Sequence, residues 1–263
     1  QNLISKGVRV RPPLRVPNLL FLFCAFPRIC ARKRVFPRRT SALKNARGSG
    51  KIAAMKVLLI NGSTKLNGCV FSALSEVASV LEKEGVGTEI VQLGAHPVRD
   101  CTGCRFCAGK GDGRCAFDDD VVNALIGKAA EADGFVFGSP VFYAHPSGQL
   151  LAVLDRMFYA GKRHFAYKPG AAVVTARRAG TTASLDVLNK YFTDACMPVV
   201  SSTYWNMAHG NLPEQIAQDE EGLQTMRNLG RNMAWLLKCI ELGKKCGVPA
   251  PTPETAAWTS FVR

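Results

Sequence analysis

Met55-Lys56-Val57-Leu58-Leu59-Ile60-Asn61-Gly62-Ser63-Thr64-Lys65-Leu66-Asn67-Gly68 is the stretch that decides the fold. Lys56–Asn61 is an apolar, β-branched run that stops at Asn-Gly-Ser, the composition of a buried strand entering a turn. From Gly68 to Glu84 the apolar residues Val70, Leu74, Val77, Ala78 and Leu81 fall at helical spacing, so one face of a helix is buried. Gly85-Val86-Gly87 ends that helix, and Thr88–Leu93 reads as a second strand. A strand, a short polar turn, a helix and another strand form a βα unit.

The same alternation continues outward. Asp118-Asp119-Asp120 is expected to cap a helix through about Glu131, acidic groups suiting the positive end of its dipole. Gly134–Gly138 is a fully apolar strand of the kind found at the centre of a parallel sheet. Ser139–Pro146 reads as a loop, Ser147 to about Tyr159 as a helix, and Gly170–Thr175 as the fourth strand. Thr181–Ala195 is a helix, Met197–Thr203 the expected fifth strand, and Glu220–Leu242 a long amphipathic helix stopped by Gly243. The pattern predicts an α/β, doubly wound, five-stranded parallel sheet forming one domain over 55–242. No internal repeat and no apolar run long enough for a bilayer interrupts it.

Charge divides the chain more sharply than length does. Residues 1–54 carry 13 of the 34 Lys and Arg and no Asp or Glu, leaving 21 basic against 20 acidic groups in the remaining 209. The leader also holds five prolines and no sustained period, so it is expected to be a disordered basic segment. A transit peptide, a nucleic-acid-binding arm and translated upstream or cloning sequence compete as readings. The last is favoured, because Met55 runs straight into a buried strand. A near-neutral body gives nucleic acid no footing, so neither nucleic acid nor membrane is an expected partner, and the expected location is cytoplasmic. Residues 243–263 carry Trp258 and Phe261 and are expected to pack on the body or on a neighbouring subunit.

Two loops carry the chemistry. Ser63-Thr64-Lys65-Leu66-Asn67-Gly68 joins the first strand to the first helix, where helix amides and small hydroxyls suit a phosphate. It lacks the Gly-Lys-Ser/Thr of a Walker loop and the G-x-G-x-x-G of a dinucleotide site. Alone it is weak, since many βα connections use Ser and Gly as turn residues. Gly138-Ser139-Pro140-Val141-Phe142-Tyr143-Ala144-His145-Pro146 leaves the third strand on the same edge and offers two adjacent aromatics for a planar ligand.

With both loops in this order, the chain resembles the flavodoxin-like NAD(P)H-dependent FMN reductase family from Met55 to about Leu242. A third feature, Cys101, Cys104, Cys107 and Cys115 in a glycine-rich loop, resembles the iron–sulfur flavoproteins of that group. The resemblance implies a five-stranded sheet of order 2-1-3-4-5, FMN at its carboxyl edge, and a homodimer or homotetramer. It places Ser63, Lys65, Asn67, Gly68, Cys69 and Val70 around the FMN phosphate. It sets Pro140, Val141, Phe142 and Tyr143 along the isoalloxazine, and Ala176-Arg177-Arg178-Ala179-Gly180, notably Arg177 and Gly180, on its other side. The family usually has Thr where this chain has Val70, which removes one hydroxyl from the phosphate contacts; Ser72 or Lys65 is the expected compensation.

The function implied is hydride transfer from NAD(P)H through FMN to a flavin, quinone or similar small electron acceptor. The alternative is an electron-transfer iron–sulfur flavoprotein. Hydride passes directly, so no catalytic residue is named. His145 in the second loop reads as a backbone-bonded histidine ahead of a flavin contact. Asn206 and His209, placed after the fifth strand, read as substrate-mouth or subunit-contact residues, or as a structured loop with Trp205. Arg178, like Arg177, reads either as an anion-attracting charge or as a solvated one.

For the cysteine loop, spacing C-x2-C-x2-C-x7-C permits a [4Fe–4S] cluster, empty reduced thiols, a redox pair or zinc, zinc last because it usually takes two separated C-x2-C pairs. Cys69, Cys196 and Cys239 are expected in the core.

Overall fold

The computed structural model describes residues 55–257, 259 and 261. The expectations for the leader and for Trp258 lie outside the described residues. The C-terminal extension is described without a break over 243–257; its first residues continue the last helix, and 247–257 are exposed along their whole length.

The strands are β1 (Lys56–Asn61), β2 (Gly87–Gln92), β3 (Gly134–Phe142), β4 (His145–Pro146), β5 (Gly170–Ala176) and β6 (Met207–His209). The helices are α1 (Cys69–Lys83), α2 (Phe106–Lys110), α3 (Val122–Glu131), α4 (Gly148–Gly161), α5 (Thr181–Asp194), α6 (Pro213–Ile216) and α7 (Glu220–Lys245). Five strands pair in parallel in the spatial order β2-β1-β3-β5-β6, with the two-residue β4 antiparallel on β3. Set aside β4, and this is the expected 2-1-3-4-5 order of a flavodoxin-like sheet.

Alternation along the strands builds two cores. Val57 and Leu59 of β1, Val136 of β3, and Ala171 and Val173 of β5 pack with α1 and α7. Leu58, Ile60, Phe135, Phe137, Ala172 and Val174 face the other way, onto α3, α4 and α5. The second core is aromatic: Phe158 stacks on Phe165 with centroids 4.1 Å apart, and Phe137 on Phe192 at 5.2 Å. Burying each such side chain contributes roughly 1.5–3 kcal/mol.

The structure corrects the expected elements in four places. First, β3 runs on through the expected loop to Phe142. Its pairing with β1 ends at Asn61↔Gly138, while its pairing with β5 continues to Pro140↔Thr175. Pro140 has no N–H to donate, and a position with one strand neighbour tolerates that. The chain then reverses through Tyr143 and Ala144, both left-handed at φ 51° and 58°. Such a two-residue reversal normally uses Asn-Gly, so no turn signature marks it in the sequence.

Second, the fifth strand is displaced. Within 197–203 only Val199 bridges the sheet, opposite Gly170. Polar side chains tie Ser201 and Ser202 to α7 instead: Ser202 donates to the Thr225 carbonyl at 2.7 Å and Asn232 to the Ser201 carbonyl at 2.8 Å. Sheet pairing resumes at Met207–His209, against Val174–Ala176.

Third, α3 begins at Val122, one turn later than the aspartates imply; Asp120 accepts from the Val122 amide at 3.0 Å, while Asp118 bonds to Arg114 and Asn123. Fourth, Cys196 and Cys239 are exposed and Cys69 is half-buried. Among the described residues no helix is long and apolar enough to cross a membrane.

Candidate functional site

The turn after β1 is fixed by side chains beneath it. Buried Asn61 accepts from the Ser63 amide at 3.0 Å and donates to Gln92 at 2.5 Å, and Gln92 in turn donates to the Ser63 carbonyl. Ser63 Oγ accepts from the Lys65 amide at 3.1 Å. No side chain caps α1 at Gly68, so the first-turn amides keep their donors free of an intrahelical acceptor. Free amides at a helix N-terminus, beside Lys65, favour an anion.

These residues form one wall of a cleft of about 230 Å³. Ser63, Lys65, Gly68, Cys69, Val70, Pro140, Val141, Phe142 and Arg177 line it, as do Thr64, Thr175, Ala176 and Gly210–Pro213. Asn67, Tyr143 and Gly180 do not. The last four lining residues were missed because the displaced β6 moves the loop that leaves it. Val70 is buried, with its Cγ1 2.7 Å from where a Cβ on Gly138 would sit. Its side chain therefore belongs to the core, and only its backbone is available to the cleft.

Gly180, at φ +90°, matters in another way. A Cβ there would lie 2.6 Å from Ala144 Cα, so its absence lets the loop after β5 press on the 143–144 turn. Tyr143 is fully exposed, while Phe142 is about half exposed and on the cleft wall. Cys69 donates to the Gly210 carbonyl at 3.6 Å, and burial pushes its thiol pKa up, against the opposing pull of Lys65. A thiol held protonated is a packing group and not a nucleophile.

The remaining polar candidates stand apart from the cleft. His145 pairs with Phe142 across the hairpin and is exposed, as is Arg178. His209 lies in β6, its amide donating to Asp219 at 2.6 Å. Asn206 is buried, and its side-chain oxygen has no hydrogen-bond partner. A larger cavity, about 430 Å³, lies between α4 and α5 and is crossed by the Lys162–Asp194 pair at 2.7 Å. There Tyr191 donates to Asp155 at 2.5 Å; burial and that bond push the phenol far up, and burial also raises Asp155. It lies off the carboxyl ends of the strands, where ligands of open α/β sheets bind, so the smaller cleft is the better candidate.

The cysteine loop is built differently. Gly103, Arg105, Gly111 and Gly113 all have positive φ. Arg163 donates to the Gly111 and Asp112 carbonyls at 3.0 and 2.8 Å. Asn123 accepts from the Cys115 amide at 2.8 Å and donates to the Cys115 and Phe117 carbonyls at 3.1 Å. The four thiols are free and line one pocket together with Arg156 and Tyr159.

The pocket measures about 20 Å³, roughly the room for a single water. Among the described residues, no three Cys, His, Asp or Glu side chains stand in a metal-coordinating arrangement. By chemistry alone the donor set suits a four-thiolate centre, since four free cysteines line one pocket beside Arg156; the loop would have to draw the thiols together to hold it. Arg156 was missed by sequence reasoning. Burial disfavours its charge, but its bonds to Asp120 and Cys115 outweigh that and hold its pKa above the usual arginine value.

Over residues 55–212 the chain matches the family described as NADPH-dependent FMN reductase. It is 32% identical over 195 residues to an iron–sulfur flavoprotein of Methanocaldococcus jannaschii, covering 71% of this chain and 100% of that one. An iron–sulfur flavoprotein of Archaeoglobus fulgidus is 30% identical over 177 residues, 66% of this chain and 86% of the relative. Among solved structures, a flavone reductase aligns with a TM-score of 0.56 at 20% identity, over 71% of this chain and 64% of that one. That last likeness shows the fold alone.

Proposed function

This chain belongs to the NADPH-dependent FMN reductase family, in its iron–sulfur flavoprotein branch, and from that premise we propose that it binds FMN in the Ser63 cleft. In this reading the protein is an oxidoreductase that carries hydride from NAD(P)H to a flavin, quinone or similar small acceptor. The observation that carries it is the cleft itself, where the loops after β1, β3, β5 and β6 meet at the carboxyl edge of the sheet.

When bound, FMN supplies the hydride chemistry, which a protein side chain cannot. The chain supplies position and charge. The free first-turn amides of α1, with Lys65, hold a phosphate dianion; the Asn61–Gln92–Ser63 bonds keep that loop in shape before any ligand arrives. Pro140, Val141 and Phe142 give an apolar stretch of the lining against which a ring system would pack. Arg177, also on the lining, supplies a positive charge that would attract an anionic nucleotide or ring. Leu212 and Pro213 add apolar surface to the lining.

The test is uptake of FMN by purified protein, followed by quenching of flavin fluorescence, then oxidation of NADH or NADPH with a quinone or free flavin. A protein that takes up no FMN sinks the reading. Binding without any nicotinamide oxidation removes the reductase and leaves only a flavin carrier.

A second reading concerns the cysteine loop and is favoured by the four free cysteines that line one pocket. Cys101, Cys104, Cys107 and Cys115 would hold a [4Fe–4S] cluster, whose contribution would be to carry one electron at a time where hydride delivers a pair. Anaerobic purification with iron and sulfide analysis tests this. About four of each per chain supports it, and Cys107→Ser then lowers both; metal-free protein in which all ten cysteines titrate as thiols after denaturation overturns it.

A further inference from the structure

Arg156 sits on α4, between Asp155 and Met157, and its side chain is completely buried. A buried guanidinium is costly unless its donors are used, and every bond this one makes goes to a single segment of chain. Nε donates to Cys115 Sγ at 3.3 Å, and Nη1 donates to the Arg99 carbonyl at 3.1 Å. The Asp120 carboxylate takes a second bond from Nη1, and the Phe117 carbonyl takes one from Nη2 at 3.0 Å. Its partners thus bracket the four cysteines on both sides, at 99 and at 115–120.

Backbone carbonyls and Asp120 would suffice to staple the loop. The bond to sulfur adds something a staple does not need, a charged N–H donor on one of the four candidate ligands. Reducing a four-thiolate iron–sulfur centre adds one electron and therefore one negative charge, with no bond broken and no proton moved. A cation whose N–H points at a ligating sulfur stabilises the more negative state, and an anion beside that cation opposes it.

We propose that Arg156 sets the reduction potential of a centre held by Cys101, Cys104, Cys107 and Cys115, raising it through Cys115, and that Asp120 moderates the effect. This rests on the reading of the cysteine loop as an iron–sulfur site. Arg156 acts through a ligand, and no contact with a substrate is implied.

The experiment compares wild-type protein with Arg156→Met, Arg156→Lys and Asp120→Asn, each purified anaerobically. Iron and sulfide are assayed, folding is checked by circular dichroism, and the visible band is titrated with dithionite against redox mediators. Arg156→Met is expected to disfavour reduction about tenfold, ~59 mV more negative for a one-electron couple. Arg156→Lys recovers part of that shift, because the charge remains while the fork geometry is lost. Asp120→Asn moves the midpoint the opposite way. Mere loosening of the loop would not give Arg156→Met and Asp120→Asn shifts of opposite sign.

If the variants keep their iron and titrate at the wild-type midpoint, Arg156 is only a staple and the inference falls while the cluster reading stands. Shifts of the same sign in Arg156→Met and Asp120→Asn overturn it too. Should Arg156→Met lose its iron, unchanged midpoints in both other variants overturn it, and the opposed shift in Asp120→Asn supports it. Wild-type protein without iron and sulfide removes the cluster reading and this inference together.

Discussion

The Ser63 cleft and the cysteine pocket are made in opposite ways. The cleft is walled by the ends of regular elements, β1, α1, β3, β5 and β6, whose places the parallel sheet dictates. The pocket is walled by a segment with four left-handed residues, held by three side chains from elsewhere: Arg156, Arg163 and Asn123. A site built from sheet edges recognises its ligand through backbone groups, so few single side chains are decisive. One built from a clamped loop depends on its clamps. That difference predicts which substitutions damage which site.

The largest effect should come from breaking the sheet-edge site from below. A Cβ on Gly138 would lie 2.7 Å from Val70 and Leu74, so Gly138→Val pushes α1 off the sheet. It should cost about 3 kcal/mol in urea unfolding, the upper range for overpacking, and abolish FMN uptake. Retained stability with normal flavin affinity would show that α1 does not depend on this close approach.

Asn123→Ala should cost about 2 kcal/mol, since it leaves the Cys115 amide and two loop carbonyls without their partner. Iron content should fall while FMN binding stays. Equal losses of both would break the comparison, because the two sites would then be one cooperative unit. In the cleft, Arg177→Ala removes one exposed rim charge and should weaken FMN only a fewfold, measured by fluorescence titration.

A smaller effect sharpens the picture of the hairpin. Ala144→Gly relieves a left-handed non-glycine residue and should stabilise by about 0.5 kcal/mol, after the added chain entropy is offset. Slowest and least visible is Cys69. Its pKa is raised in the folded protein, so it favours the folded state at neutral pH and that contribution is lost as pH rises through the folded value. Iodoacetamide should modify exposed Cys196 and Cys239 well before Cys69; preferential labelling of Cys69 would mean its burial is transient.

How much of this was legible in the sequence depends on range. Helices α1 and α7 were read from local periodicity and β1 from its apolar, β-branched run, whose residues the pleat sorts into the two cores. The cysteines announced themselves by spacing. The 143–144 reversal was not legible, because Tyr-Ala carries no turn signature and is held by Gly180, distant in sequence. Gly210–Pro213 escaped because side-chain bonds to α7 delay β6, a tertiary effect that no window of residues contains. Arg156 belongs to no motif in the sequence. Only the folding of 99–120 across it buries it.

One consequence of the β1 alternation reaches beyond packing. Val57 and Leu59 belong to one core, Leu58 and Ile60 to the other, and Asn61 comes next as the residue that reaches Gln92 and the Ser63 amide. Inserting or deleting one residue before Asn61 would exchange the two cores and turn its amide to the wrong face in the same stroke. Evolution can therefore substitute freely along Lys56–Ile60 among apolar residues of similar size, but cannot change the count. The distance from the start of β1 to the cleft is inherited as an integer.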